Sequence, residues 1–353
     1  MPQRQTPDPS LTWPNAAIRR LLVTQPPEAC NVAGVILCAG TGTRMVPLTH
    51  TLPKPLLPAL NCPLLIWNIA HLSGRTRNIH LNTHHLSGAF EPIRTIAHSV
   101  GVAVTLAVEA QLSGPFGGVL ACFRHETRPR DIIVLAGDGL YDVDFAKLLA
   151  FHREREADLT IGVTAVANGS RYGVLSLDDR HRVCAMHEKP ANVGAVESAS
   201  CGVYVLAGRL VERFVDYIGP LDWVDVVTAL LCDKSIVVAS RVSRWLDAGV
   251  PLDLLDLNLK LLNSEAVCKV ADRTDHPTGQ VWRQGPERPL RDTKFEGTVL
   301  IGEGVKFEVD TDVANAVLGT GSVLGRGAVV RNSVIMPGAV VPAGMIVNET
   351  VWS

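Results

Sequence analysis

Between Val299 and Val347 an aliphatic side chain returns every six residues: Val299, Val305, Val317, Val323, Val329, Ile335, Val341 and Val347, with Thr311 as the one miss. Glycine and other small residues fill many positions between, as in V-L-G-T-G-S, V-L-G-R-G-A and V-P-A-G-M-I. A period of six is neither the 3.6 of a helix nor the two of an ordinary strand. It suits a parallel β-helix, in which each turn has three short sides and each side sends one apolar residue into a shared core. A valine-rich β-domain with accidental spacing is the competing reading, and eight hits in nine positions weigh against it. The segment is short, about three turns, and stacked repeats need neighbours, so a homo-oligomer is expected.

The preceding chain follows another pattern. Short apolar runs at Val32–Cys38, Asn78–Asn82, Ala103–Val108, Ile132–Ala136 and Leu159–Val166 alternate with helical patterns at Pro63–Leu72 and Phe145–Arg155. Strands alternating with helices predict an α/β unit whose mostly parallel sheet is covered on both faces. The expected organisation is a Pro-containing, loosely packed leader over residues 1–31, the α/β unit over 32–262, a polar linker over 263–292 and the β-helix over 293–353. Ligands of such sheets bind at the carboxyl ends of strands. Cys38 and Ala136 stand at two such ends.

Composition excludes several classes. Of 353 residues 47% are apolar and 19% charged, which suits a folded protein with a sizeable core rather than a disordered one. The formal net charge of −2 gives no global attraction to nucleic acid or anionic membrane. The eight cysteines form no C-x-x-C pair, so zinc-ribbon and thioredoxin chemistry are not expected. With neither a secretory-type start nor a run of eighteen apolar residues, a reduced, cytoplasmic protein is expected.

Phosphate chemistry must then come from local groups. L-C-A-G-T-G-T-R spans Leu37 to Arg44, followed by P-L-T at Pro47–Thr49 and P-K-P-L-L-P at Pro53–Pro58. Gly40 and Gly42 allow left-handed backbone and close ligand approach. The backbone N–H groups through Ala39 and Thr43 can form an anion nest. Arg44 adds a planar fork of donors, and Lys54 adds a cation held between two prolines. This suits a nucleoside triphosphate, whose leaving pyrophosphate gains negative charge. The loop lacks the Gly-Lys of a Walker A sequence and the third glycine of a dinucleotide fingerprint. Asp138 ends V-L-A-G-D and Asp247 centres W-L-D-A-G; two carboxylates at strand ends can hold Mg²⁺. Taken alone, Asp247 is equally compatible with a helix N-cap before Pro251. Glu188 and Lys189, in E-K-P, suit sugar hydroxyls and a sugar phosphate, or form a surface ion pair. Gly114, Gly117 and Gly118, after Glu109, would let a flat base lie close.

In order and spacing these motifs closely resemble the sugar-phosphate nucleotidyltransferases (nucleoside-diphosphate-sugar pyrophosphorylases) over about Val32–Leu262. The C-terminal repeat resembles the left-handed β-helix carried by many of them, including mannose-1-phosphate guanylyltransferases. The resemblance implies a Rossmann-like sheet followed by that β-helix. It implies a catalytic Arg44 and Lys54, and metal-binding Asp138 and Asp247. It implies nucleotide contacts along Leu37, Ala39, Gly40, Gly42, Thr43, Glu109 and Gly114, and sugar-phosphate contacts at Gly173, Glu188, Lys189, Ser200 and Tyr204. The implied substrates are a nucleoside triphosphate and a sugar 1-phosphate, with Mg²⁺ as cofactor. Pro115 and Phe116 replace a usual Thr-Ala. Ser200 replaces an asparagine that normally contacts the sugar, which admits a modified sugar or a cyclitol phosphate.

The implied reaction gives a nucleoside-diphosphate sugar and pyrophosphate by in-line attack on the α-phosphorus, without a covalent intermediate. GTP is the favoured nucleotide, because the Glu109 carboxylate could accept from guanine N1–H and N2–H₂. Glucose-1-phosphate uridylyl-, thymidylyl- or adenylyltransfer is the alternative. A non-catalytic, nucleotide-sugar-binding regulatory subunit is the alternative of another class. Such relatives usually lose the arginine, the lysine or an aspartate, and here all are retained. A β-helix acyltransferase is rejected, since residues 293–353 contain no histidine.

Overall fold

The computed structural model describes residues 13–22, 31–124, 129–274, 276–286 and 293–353. Its centre is a nine-stranded sheet. The run V-A-G-V-I-L forms Val32–Leu37, buried along almost its whole length, as a strand covered on both faces must be. It pairs in parallel with Asn78–Thr83 on one side and Asp131–Ala136 on the other. Ala103–Val108 extends the parallel part. The long strand Val196–Ala207 enters antiparallel beside Asp131–Ala136 and joins the hairpin of Gly173–Leu177 and Val183–Glu188, together with Leu159–Val166. The sheet is therefore mixed, with its parallel half under the nucleotide-type loop.

Helices Leu64–Ser73, Glu91–Ser99, Gly114–Cys122, Phe145–Glu154 and Trp223–Cys232 cover the sheet, and Pro251–Leu262 lies between the α/β unit and the β-helix. Two segments read as irregular are folded. Asn15–Leu22, inside the expected loose leader, is a helix whose Ile18 and Leu22 are buried in the main core. Its four apolar residues Ala17, Ile18, Leu21 and Leu22 form one stripe, hidden in sequence by flanking prolines. The rest of the leader, 1–12 and 23–30, lies outside the described residues. The expected linker contains helix Ala266–Val270 and strands Asp272–Thr274 and Gly279–Arg283. Gly279–Arg283 pairs in parallel with Thr293–Ile301, so it already belongs to the β-helix; 275 and 287–292 lie outside the described residues.

The repeat region is a stack of parallel strands, as expected, but its register differs from the strict six. The first coil advances 18 residues, with Thr293 opposite Thr311. Every later coil advances 17: Val323 lies opposite Val340, Val329 opposite Ile346 and Val334 opposite Val351. The shift occurs where the pairing of Thr293–Ile301 with Thr311–Leu318 is irregular, between Glu296 and Val299. The inward aliphatics include Val281, Val299, Ile301, Val305, Val313, Leu318, Leu324, Val330, Ile335, Val341 and Val347. One side per coil is a residue short, from Val313 to Leu318 and from Val330 to Ile335. The series read from sequence therefore drifts. Val299, Val305, Ile335, Val341 and Val347 point inward, Val323 and Val329 are half-buried, and Val317 faces the other domain. Leu300, Val317 and Val334 belong to the main core, with Val351 packed against it; these positions stack one coil apart. Along this ladder the β-helix packs on helix Pro251–Leu262.

Candidate active site

One cleft of about 640 Å³ opens at the carboxyl ends of Val32–Leu37 and Asp131–Ala136. Gly117 and Gly118 apart, it is lined by every residue assigned above to catalysis, nucleotide or sugar phosphate, from Leu37 to Asp247.

The nucleotide-type loop leaves the sheet at Leu37. Cys38 N–H donates to the carbonyl and side-chain oxygens of Asn82, at 3.1 and 2.8 Å. The next four N–H groups, Ala39 to Gly42, meet no acceptor among the described residues, as an anion nest requires. Gly42 is left-handed (φ 66°), and an added Cβ would lie 2.9 Å from Thr49. Gly40 faces open space and is not left-handed, so only one of the two glycines is demanded by backbone geometry. Thr49 Oγ1 donates to Gly42 O at 2.8 Å and closes the loop. Arg44 is exposed and has no side-chain partner among the described residues.

Lys54 is held by the turn Lys54–Leu56, which follows Pro53. Its stem is buried, and Nζ meets Asp138 Oδ2 at 2.6 Å. Asp138 follows Gly137, where a Cβ would collide with Leu37 O at 2.6 Å. Asp247 ends strand Arg244–Asp247, whose antiparallel pairing puts it opposite Gly139; Ala248 N–H donates to Asp138 O at 3.0 Å. Asp247 therefore does not cap the following helix, whose N-cap residue is Val250. Burial first, then the negative charge of Asp138, raises the Asp247 carboxyl above the usual aspartate range. Two carboxylates whose charges oppose each other suit a divalent cation. Among the described residues no cluster of three or more metal-binding side chains exists, so phosphate oxygens and water would complete the coordination, as Mg²⁺ prefers.

The opposite end of the cleft is built by strands. Glu188 lies opposite Gly173, and a Cβ on Gly173 would crowd Met186 Cε at 2.6 Å. Lys189 is left-handed and exposed; its Nζ meets Glu188 Oε1 at 2.5 Å. Ser200 Oγ and Tyr204 Oη are 3.0 Å apart across an irregular stretch of Val196–Ala207. Burial raises the Tyr204 hydroxyl pKa, so it stays neutral.

Glu109 departs from its expected part. It is buried, with Oε1 accepting from Asn82 Nδ2 at 2.7 Å and Oε2 from Ser113 N–H at 3.0 Å, as well as from Ser113 Oγ. Three of the carboxylate's roughly four acceptor sites thus fasten the loop, leaving one toward the cleft rather than the two that guanine N1–H and N2–H₂ would use. The neighbouring glycines also meet packing demands. At Gly114 (φ 78°) a Cβ would strike Leu221 O at 2.6 Å, and at Gly118 it would strike Asn82 Nδ2 at 2.2 Å.

Several lining residues escaped sequence reasoning. Tyr204 stacks on Trp223, with ring centroids 3.7 Å apart and planes at 11°. Asp222 beside it is the N-cap of Trp223–Cys232, and its carboxyl is raised by burial, then by Asp225 and Glu188. The signal was present: D-W-V-D before an apolar run is a capping-box pattern. Tyr172 Oη donates to Asp247 Oδ2 at 3.3 Å, and Arg171 binds Asp253 at 2.8 Å.

Residues 33–264 match the protein family described as nucleotidyl transferase. A putative mannose-1-phosphate guanyltransferase from Sulfolobus acidocaldarius is 29% identical over 235 residues, covering 65% of this chain. That match spans only 63% of the relative's own length. A glucose-1-phosphate adenylyltransferase from Clostridium botulinum is 26% identical over 324 residues, covering 82% of this chain and 81% of the relative. Among solved structures, a putative glucose-1-phosphate thymidylyltransferase from Bacillus anthracis superposes with a TM-score of 0.59 at 21% identity, covering 66% of this chain and 96% of that one. This last likeness shows a shared fold.

Proposed function

The chain belongs to the nucleotidyl transferase family, and from that premise we propose that it moves a nucleoside monophosphate from a nucleoside triphosphate to a sugar 1-phosphate. The observation that supports this most is the joint presence of Arg44, Lys54, Asp138, Asp247 and Lys189 on one cleft at the strand ends.

An oxygen of the sugar phosphate attacks the α-phosphorus, the α–β P–O bond breaks, and pyrophosphate leaves with the electron pair. A phosphate monoester is already ionised, so no general base is needed. The chain's task is positioning and charge compensation. The nest from Ala39 to Gly42 and the free Arg44 guanidinium receive the β- and γ-phosphates. Lys54, fixed by Asp138 and by its buried stem, places one positive charge at the α-phosphoryl group. Lys189 leaves Glu188 for the sugar phosphate, and Glu188 then accepts from sugar hydroxyls. Asp138 and Asp247 would hold Mg²⁺, which when bound neutralises charge on phosphate oxygens.

The nucleotide we propose is GTP, on the strength of the guanyltransferase relative. Glu109 does not carry that choice, and the adenylyltransferase relative supports ATP as the rival. Ser200, tied to Tyr204, leaves room for a sugar other than an ordinary hexose. A panel of four nucleoside triphosphates against mannose, glucose and cyclitol 1-phosphates, read by pyrophosphate release, tests all of this. Absence of pyrophosphate with every pair, in the presence of Mg²⁺, would reject the reaction class. Retention of every charged group named above speaks against a purely regulatory subunit. A homo-oligomer built through the β-helix is proposed with it, and light scattering of the purified protein tests that part.

A further inference from the structure

The strand pair Pro58–Ala59 and Cys62–Pro63 is a hairpin whose two-residue turn is Leu60-Asn61. Both residues are left-handed, with φ of 49° and 64°. A turn of this kind favours Asn-Gly; a fully buried leucine at its first position has to be held by its surroundings. The surroundings come from two places. Asn258, on helix Pro251–Leu262, accepts from Leu60 N–H at 2.8 Å and donates to Pro58 O at 3.0 Å. The β-helix supplies the rest. Gln284 Nε2 donates to Leu60 O at 2.9 Å, while Asn61 Nδ2 donates to Gln284 Oε1 and to Leu318 O, both at 3.0 Å. Gly302 makes room: a Cβ there would sit 2.8 Å from Asn61 Nδ2. The tip of a hairpin from one domain is thus inserted into a coil of the other, with its polar groups satisfied.

The same hairpin leads back without slack to Lys54. Leu57 N–H donates to Lys54 O at 3.0 Å, Leu64 N–H to Leu57 O at 3.0 Å, and Leu56 N–H to Pro53 O at 2.8 Å. Prolines at 53, 55 and 58 stiffen what lies between. We infer that the β-helix positions the catalytic lysine: Asn61 and Gln284 are positioning residues that hold Lys54 Nζ against Asp138. This rests on the proposed reaction for its kinetic consequence and on geometry alone for its mechanical one.

The test uses Asn61→Gly, which keeps a residue at ease in the left-handed turn and removes the side chain that carries the amide. A second variant, Gln284→Ala, removes the partner from the β-helix side. Hydrogen exchange of the full chain should show the Leu56 and Leu57 amides losing about tenfold protection in both variants, with the central sheet unchanged. If the wild type releases pyrophosphate, kcat should fall about 10- to 100-fold with KM nearly unchanged. In a Lys54→Met background Asn61→Gly should then cost less than about twofold, since the two act through one group. Unchanged protection at Leu56 and Leu57 overturns the inference, as does an equal loss of kcat in both backgrounds. Failure of the wild type to release pyrophosphate with any pair would instead fall on the reaction, and exchange alone would decide the clamp.

Discussion

Replacing Lys54 by methionine removes one charge while keeping the stem that fills its buried slot. The lost contact is the 2.6 Å pairing with Asp138. The Asp138 side chain is 39% exposed, so water can take over part of the lost solvation, and the stability cost should be about 1 kcal/mol or less. For a chain of this size that corresponds to a melting shift of roughly 2–4 °C at most. The kinetic cost should be much larger. A preorganised group facing charge that develops in the transition state contributes about 10²–10³ in kcat, or about 2.7–4 kcal/mol. The same substitution leaves Asp138 without its paired cation, while Asp247 keeps Arg171 at 3.5 Å, so Mg²⁺ should bind more tightly as turnover falls. Coupled pyrophosphate release across a Mg²⁺ titration, with a thermal melt on the same samples, reads all three effects. A variant within about threefold of wild-type kcat, or one whose loss follows its unfolded fraction, would refute the role given to Lys54.

Three further substitutions probe other parts of the cleft. Arg44→Ala should abolish most turnover yet leave the melt unchanged, because Arg44 is exposed and makes no ion pair among the described residues; a comparable loss of stability would contradict this. Asp247→Asn should stabilise the protein at neutral pH in chelator. The folded state raises the Asp247 pKa, so its ionised form is penalised above that pKa. The gain should therefore shrink as pH falls through the folded pKa and vanish below the unfolded value, near 3.8. Denaturant melts across pH, where a pH-independent difference would count against it, provide the measure, and saturating Mg²⁺ should reverse the order of the two proteins. Gly114→Ala forces an alanine into φ 78° and sets its Cβ 2.6 Å from Leu221 O. The left-handed backbone alone costs about 1 kcal/mol. Nucleotide KM should rise as the loop shifts, and an unchanged KM with an unchanged melt would show that the loop yields freely.

How much of this was legible depended on how local each signal was. The loop from Leu37 to Pro58 could be read because its glycines, arginine and proline-bound lysine stand within one stretch of chain. Asp138, Asp247, Glu188 and Lys189 were legible as candidates, and the strand pairings bring them to one cleft. The hold on Glu109 was not legible, because a carboxylate's partners cannot be counted from sequence: Asn82 and Ser113 take most of its acceptor sites. Trp223 lies on a helix far along the chain, and only folding sets it on Tyr204. The β-helix was found by its period, yet its side lengths were not, since valines stand both inside the coil and on its outer face.

That shorter side has a consequence for how such a chain can change in length. Leu300, Val317, Val334 and Val351 form a ladder with one rung per coil, and the α/β unit rests on it. A single inserted residue would turn every later rung off that line unless a bulge absorbed it, as the irregularity between Glu296 and Val299 absorbs the one extra residue of the first coil. Removing or adding a whole coil would leave the line intact and move only the free end. The coil is therefore the natural unit of growth here, and lineages lengthening this domain are expected to do so in steps of one full turn.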